Sequence, residues 1–199
     1  MKKNSVFFRV GILCILVAAL LFAKNRVEDV LVGRRTEALM ASLSSAGSLD
    51  GSAFQDPRRE MPIHLVDGHE YIGHLKLETL GLDLPVMSSW SYDKIKIAPA
   101  RYQGSIYRDN MIIMAHNYRS HFGKLPRVDL GDEVTFTDVD QNQFHYEIVD
   151  IQEVGGDELE ALLGGEWDLT LFTCTLGGKS RVVVRCKLTG QGQPLKGNI

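Results

Sequence analysis

Two apolar segments near the C-terminus carry residues that could perform nucleophilic chemistry. The first, residues 169–174, ends on Cys174, and a Gly-Gly turn separates it from the second, residues 181–186, which begins with Arg181. If the two segments pair as strands, the thiol and the guanidinium lie at the same edge of one sheet. An exposed cysteine beside a permanent positive charge favours the thiolate, which is the nucleophilic form. The pattern therefore predicts a nucleophile at Cys174.

Chemistry at a thiol also needs a group that carries protons, and His116 is the best candidate. It follows the apolar segment 110–115 and is titratable near neutral pH. The histidine, the cysteine and the arginine would then occupy three strand ends, where rigid scaffolds usually hold functional groups. The next residue, Asn117, could orient the imidazole or could simply form a turn.

In order and spacing, these motifs resemble those of the sortase family. Sortases are cysteine transpeptidases that attach proteins to the cell wall of Gram-positive bacteria or link pilin subunits. The family's thiol motif, T-L-x-T-C, stands at residues 170–174, and its histidine and arginine match His116 and Arg181. The resemblance covers roughly residues 65–190. Further matches are Tyr71-Ile72-Gly73, Leu84-Pro85-Val86 and Leu130-Gly131-Asp132-Glu133-Val134.

The resemblance implies a two-step acyl transfer on an eight-stranded β-barrel. Cys174 would attack a backbone carbonyl of a sorting-signal peptide, and an amine of the peptidoglycan cross-bridge or a pilin lysine would resolve the thioester. His116 would act as general acid and base, and Arg181 would hold the oxyanion. Thr173 and Asn117 are the expected substrate-binding residues. The short connection after the cysteine is a class B-like feature, although the segment before it is brief for that class.

Arg185 is the alternative to Arg181 as the partner of the thiol. Side-chain direction repeats every two residues along a strand, so both arginines share one face, about 13 Å apart at ~3.3 Å per residue. Only one can lie near Cys174. Arg181 is favoured because it is closer to the turn.

The remaining titratable residues suggest no second site. Three cysteines, at positions 14, 174 and 186, do not make a disulfide framework. Cys186 is expected to be a buried, inert strand residue, and a regulatory disulfide with Cys174 is the alternative. The other histidines lack metal-ligand spacing, so neither a metal nor a cofactor is expected.

The elements that must position these residues divide the 199-residue chain into four parts. Residues 1–25 are expected to form a signal-anchor transmembrane segment, since no charge stands between Val10 and Ala23; a cleaved signal peptide is the alternative. Residues 26–64 should hold a membrane-proximal helix and a flexible linker. Residues 65–190 should form the catalytic domain, followed by a tail at 191–199. Sortases generally keep the N-terminus inside and the catalytic domain outside the cell.

The catalytic region alternates short apolar runs with turn signals, which predicts a mainly β domain. Seven strands are expected, with an eighth near 94–97 or just after it and short helices near 91–94 and 157–163. Many short strands with few helices suggest a closed barrel. The net charge of −3 and pI near 6.1 speak against nucleic-acid binding. The expected strands are 71–77, 84–87, 110–115, 133–137, 144–153, 168–172 and 181–188.

A different class of function also fits the pattern. The chain could be a membrane-anchored extracellular β-barrel binding module without catalysis, in which Cys174 is an ordinary core residue. A thiol-reactive probe separates the two readings, because only an enzyme needs Cys174 to be accessible and reactive.

Overall fold

The computed structural model describes residues 3–44 and 58–192, and nearly half of residues 58–192 are in β-strands. Short 3₁₀ turns lie between several strands. The 3₁₀ turns are Glu78–Leu80, Lys94–Lys96, Ile106–Arg108 and Phe122–Arg127. The helices and strands are α1 (Lys3–Ser44), β1 (His64–Val66), β2 (His69–Leu77), β3 (Leu82–Met87), β4 (Ala100–Gln103), β5 (Met111–Met114), β6 (Glu133–Asp138), β7 (Gln143–Gly155), α2 (Leu159–Leu163), β8 (Leu169–Cys174) and β9 (Ser180–Gly192).

Eight of the strands close into a barrel. The sheet runs in the order β2-β3-β4-β5-β8-β9-β7-β6, and β2 pairs again with β6 to complete the ring. The short β1 forms a hairpin with the first residues of β2. Closure gives each of the eight strands two neighbours, so its backbone groups are paired on both sides. The predicted eight-stranded barrel is confirmed, with β1 as an addition.

The barrel interior is filled by alternate residues of the strands. Leu75, Phe136, Phe144, Leu171 and Val184 are almost completely buried in one apolar cluster. Because side chains alternate between the two faces of a strand, the residues between them point outward. The interior fixes the register of every strand, since a slip by one residue would expose these side chains.

A second apolar layer covers part of the outer face. Ile112 and Met114 of β5, Phe172 of β8 and Val183 of β9 belong to it, and Ile95 packs there from a 3₁₀ turn. Leu162 of α2 and Leu39 near the end of α1 belong to the same cluster. The candidate site residues lie at strand ends next to this apolar layer.

One continuous helix replaces the two N-terminal elements expected from the sequence. Within α1, the segment Phe7–Lys24 is long and apolar enough to cross a membrane, and none of it is buried against the protein. The C-terminal part of α1 contacts the barrel, where Thr36 and Leu39 are buried. The expected linker falls mostly on residues 45–57, which lie outside the described residues.

The eighth strand, expected near 94–97 or just after that segment, is β4, and residues 94–96 form a 3₁₀ turn. The strand β9 runs to Gly192, so residues 191 and 192 are strand where a tail was expected, because pairing with Gln143 of β7 continues to that point. Residues 193–199 lie outside the described residues, and the proposed domain boundaries stay a prediction.

Candidate active site

His116 and Cys174 stand at the ends of two adjacent parallel strands. Met114 of β5 is in register with Phe172 of β8, and each candidate residue lies two positions further along its chain. The Ala115 amide extends the ladder by donating a hydrogen bond to the Phe172 carbonyl at 3.2 Å. Parallel neighbours lie about 4.8 Å apart, and both residues line one cavity of about 240 Å³. The structure therefore brings the imidazole and the thiol together.

The antiparallel pairing of β8 with β9 places Arg181 directly opposite Cys174. The connecting turn is closed by hydrogen bonds from the Thr175 amide to the Ser180 carbonyl and from the Gly178 amide to the Thr175 carbonyl, both 2.9 Å. Gly177 and Gly178 have φ values of +92° and +72°, which other residues rarely adopt. Cys174 itself is half-buried, so its sulfur lies at the boundary of the apolar layer.

Arg185 lies on the same face but at the other end of the hairpin. It is in register with Thr170 and donates to the hydroxyl of that residue at 2.8 Å. The side chain is almost fully buried, and this desolvation lowers the pKa of Arg185 below its usual value. The arginine that faces Cys174 is therefore Arg181, and Arg185 has a structural partner of its own.

A second cavity of about 110 Å³ continues the first one on the side of Arg181. Tyr92 and Met114 line both cavities, so the two form one cleft. Its aromatic wall is built by stacking: Trp90 lies over Tyr102 with ring centroids 5.2 Å apart, and Tyr102 meets Phe172 edge-on at 5.5 Å. The cleft thus has an apolar floor and a charged end, a mixed lining typical of ligand-binding sites.

The loop after His116 is folded tightly against itself. The rings of His116 and Tyr118 stack at 4.0 Å with an angle of 17° between their planes. The Phe122 amide donates to the His116 carbonyl at 3.3 Å, and the Gly123 amide donates to the Tyr118 carbonyl at 2.8 Å. A methyl group on Gly123 would lie only 2.4 Å from the Asn117 carbonyl oxygen. Glycine is therefore required at this position to close the loop that holds the histidine.

The two expected substrate-binding residues have different surroundings. The Thr173 side chain is buried, and its hydroxyl donates to the Ala115 carbonyl at 2.9 Å, which links the cysteine strand to the histidine loop. Asn117 lines the cavity, and its side-chain amide donates to the Thr175 carbonyl at 3.4 Å. Thr173 offers only its backbone to a ligand, whereas Asn117 offers side-chain atoms. Their role in substrate binding stays a prediction.

The third cysteine is separated from the site. Cys186 is fully buried in the barrel interior, opposite Leu169, and burial raises its pKa to about 12. It lies on the inner face of β9, whereas Cys174 lies on the outer face of β8. The prediction that Cys186 is a buried strand residue is confirmed, and both cysteines are free thiols.

Three features of the site were missed in the sequence. Gly156 and Gly123 matter through close backbone contacts, and Trp90 contributes through stacking. Glycine pairs were visible as turn signals, but only tertiary contacts give these residues their roles. Across residues 3–44 and 58–192, no cluster of three or more His, Cys, Asp or Glu side chains could hold a metal ion.

Comparison with known proteins identifies the fold. The sortase domain family matches residues 75–189. Among solved structures, sortase C of Streptococcus pneumoniae is 22% identical with a TM-score of 0.55, covering 85% of this chain and 92% of that one. No match was found among curated protein sequences.

Two further structures have the same fold. Sortase C1 from Streptococcus suis is 22% identical with a TM-score of 0.52, covering 61% of this chain and 74% of that one. Sortase A of Listeria monocytogenes is 17% identical with a TM-score of 0.55, covering 63% and 92%. At these identities the structures establish the fold and not the class, so the class B-like assignment stays a prediction.

Proposed function

The chain belongs to the sortase family of cysteine transpeptidases, and we propose that it cleaves a sorting-signal peptide through a Cys174 thioester. The acyl group then passes to an amine of the cell wall or to a pilin lysine. The single observation that carries the proposal is the register of three strands. Cys174 is opposite Arg181 on β9 and lies beside His116, which follows β5.

In the first step the Cys174 thiolate adds to a peptide carbonyl, and the carbonyl oxygen becomes an oxyanion. Arg181 donates hydrogen bonds to that oxyanion. It is suited to this role because it is the residue opposite Cys174 on β9 and its charged guanidinium carries several N–H donors. The C–N bond then breaks, and His116 gives a proton to the departing amine. The products are a thioester on Cys174 and a free peptide amine.

In the second step an acceptor amine attacks the thioester. His116, now neutral, takes a proton from the attacking nitrogen, and the Cys174 thiolate leaves as the new amide forms. Transfer must be faster than hydrolysis, which requires that water be kept from the thioester. The aromatic side chains of Trp90, Tyr102 and Phe172 line the adjoining part of the cleft, on the side of Arg181.

The substrates are proposed to be proteins that carry a C-terminal sorting signal. An extended peptide suits the elongated cleft, with Asn117 and the backbone of Thr173 as contacts near the scissile bond. Pilin substrate specificity is described for the sortase C of Streptococcus pneumoniae. Whether this chain uses a pilin lysine or a peptidoglycan amine as acceptor is a question for the experiment below.

The location of the reaction is proposed from α1. Its apolar segment Phe7–Lys24 would cross the cell membrane once, with the N-terminus inside and the barrel outside. The helix continues without a break to the residues that pack on the barrel, such as Leu39. The catalytic domain would therefore lie close to the outer surface of the cell membrane, where membrane-anchored substrates emerge.

The test uses the full chain in detergent micelles or nanodiscs with a pentapeptide library and two amine acceptors. One acceptor is oligoglycine and the other is a lysine-containing pilin-type peptide. Mass spectrometry should detect an acyl-enzyme at Cys174 and a transpeptidation product, and both should be absent for Cys174→Ala. If no peptide gives a thioester while a library peptide still binds the cleft, the chain acts as a binding module instead.

A further inference from the structure

We propose that Gly156 is a positioning residue for Arg181, with its backbone carbonyl fixing the guanidinium beside Cys174. The inference rests on the proposed function, since it assigns a role to the segment between β7 and α2 in the same site. Gly156 touches neither the sulfur nor the imidazole, so any effect on the reaction has to pass through Arg181.

The contact itself is direct. Nη1 of Arg181 donates a short hydrogen bond, 2.5 Å, to the Gly156 carbonyl oxygen. A guanidinium is planar and carries five N–H donors in fixed relative positions, so a bond to one of them restricts where the others can lie. The remaining donors of Arg181 are thereby confined to the part of β9 that is in register with Cys174 of β8.

The backbone around the carbonyl is tied to the neighbouring segments. The Gly156 amide donates to the Lys179 carbonyl at 3.0 Å, which links the residue that carries the acceptor to the residue before β9. On the other side, the Glu158 carboxylate accepts a hydrogen bond from the Gly155 amide at 3.1 Å. The Glu158 carbonyl in turn accepts one from the Leu162 amide of α2 at 3.2 Å. These bonds restrain the segment on both sides of the acceptor carbonyl.

Only glycine fits at this point in the segment. A methyl group on Gly156 would lie 2.9 Å from the Lys179 carbonyl oxygen and 3.0 Å from Nη1 of Arg181. The first neighbour is backbone and cannot move without breaking the hydrogen bond to the Gly156 amide. Relief of this contact must therefore come from opening of the segment, which moves the Gly156 carbonyl, and the second contact presses directly on the Arg181 guanidinium.

The adjacent glycine provides a matched control. A methyl group on Gly155 would meet Asp157 Oδ1 at 3.0 Å and the Glu158 side chain at 3.2 Å. Both neighbours are parts of flexible side chains that need to move by only a few tenths of an ångström, so the hydrogen bond from the Gly155 amide to Glu158 can be kept. Gly155→Ala therefore adds the same atoms to the same segment without pressing on Arg181.

The experiment is a double-mutant cycle in the full chain, with a peptide substrate found as above. Gly156→Ala should lower kcat/KM about 10- to 50-fold, mostly in kcat, while Gly155→Ala stays within threefold of the wild type. In an Arg181→Ala background, adding Gly156→Ala should change kcat/KM by less than twofold, because the group it displaces is gone. Thermal unfolding of each variant shows which ones are folded.

A second variant keeps the test decisive if Gly156→Ala does not fold. Glu158→Ala removes the tether of the Gly155 amide without adding atoms, and it should cost about three- to tenfold in kcat/KM only when Arg181 is present. The inference is overturned if Gly156→Ala is as active as Gly155→Ala. It is also overturned if the losses multiply in the Arg181→Ala background, or if Glu158→Ala costs the same with and without Arg181.

The outcome is separable from that of the proposed function. If the wild type forms no acyl-enzyme, or if Cys174→Ala still transfers, the proposed function fails. If the wild type transfers and Arg181→Ala is impaired while Gly156→Ala is not, only the present inference fails.

Discussion

The hairpin of β8 and β9 carries a cysteine and an arginine near each of its two ends, and the two ends differ in almost every other respect. At the turn end, Cys174 and Arg181 are half-buried, face each other on the outer side of the barrel and border a cleft. At the far end, Arg185 and Cys186 are buried, one against Thr170 and the other in the interior. Residue type is the same at both ends, and only position separates them.

Two simple rules produce this difference. Side-chain alternation sends Cys174 outward and Cys186 inward, since the first is in register with Arg181 and the second with Leu169. Distance from the turn then separates the arginines, because only the strand ends reach the cleft. A reactive group on this barrel must therefore lie both on the outer face and at a strand end. Substitutions at the two ends of the hairpin test this conclusion.

The largest effect should come from exchanging the two cysteines for alanine. Cys174→Ala removes the nucleophile and should abolish acyl transfer, a loss of at least about 10⁴-fold. Cys186→Ala should leave kcat/KM within threefold while lowering the free energy of unfolding by about 1 kcal/mol through a small cavity. Transfer assays and chemical denaturation on both proteins check this pair. Substantial activity in Cys174→Ala would contradict the comparison.

Substitution of the two arginines should separate activity from stability in the same way. Arg181→Ala should lower kcat/KM about 10²- to 10³-fold, the usual loss for a missing oxyanion donor. Arg185→Ala should cost less than fivefold in activity but about 2 kcal/mol in stability, because it leaves Thr170 without its buried partner. Kinetics and thermal unfolding on the two variants distinguish the roles. The reverse pattern would assign the site to the far end of the hairpin.

Tyr118 tests how the histidine is held near the turn end of the hairpin, because its ring stacks on that of His116. Tyr118→Leu should lower kcat/KM about fivefold, since a stacked ring pair is worth about 1 kcal/mol. Tyr118→Phe keeps the ring and should stay within twofold of the wild type. Equal losses in both variants would show that the hydroxyl, and not the stack, matters.

The last effect concerns stability alone, at the far end of the hairpin and at alkaline pH. Burial raises the pKa of Cys186 from 9.0 to about 12, so the unfolded chain releases this proton before the folded one does. The contribution to stability is complete below about pH 9 and is lost as pH rises towards 12. In Cys186→Ala the fall of unfolding free energy with pH between 9 and 11 should be shallower by up to about 1.4 kcal/mol per pH unit. The unfolding free energy would be measured by urea denaturation at each pH. If its dependence on pH were the same in both proteins, ionisation of Cys186 would not be linked to folding.

Much of this architecture was predictable from the sequence. Alternating segments ending in turn residues predicted the strands, and T-L-x-T-C with its following arginine predicted the pairing of Cys174 with Arg181. The position of the eighth strand, β4, was predicted only approximately, because its four residues are too few to show a clear alternation. The short β1 was missed for the same reason.

The rest of the site depends on contacts between segments distant in the chain. Gly156 lies 25 residues before Arg181, and nothing in its neighbourhood indicates that its carbonyl meets a guanidinium. Trp90, in the loop after β3, stacks on Tyr102 of β4, which no sequence period encodes. Gly123 is required by the packing of one loop on itself. Such residues become visible only when the register of the barrel is known.

The most direct test of the account is the reactivity of the two hairpin thiols. The full chain carrying Cys14→Ser would be treated with iodoacetamide at pH 7.5 and mapped by mass spectrometry over time. The account predicts rapid labelling of Cys174 in the folded protein, slower labelling in His116→Ala and Arg181→Ala, and labelling of Cys186 only after unfolding. A Cys174 that is as inert as Cys186 in the folded protein, or is indifferent to both substitutions, would contradict it.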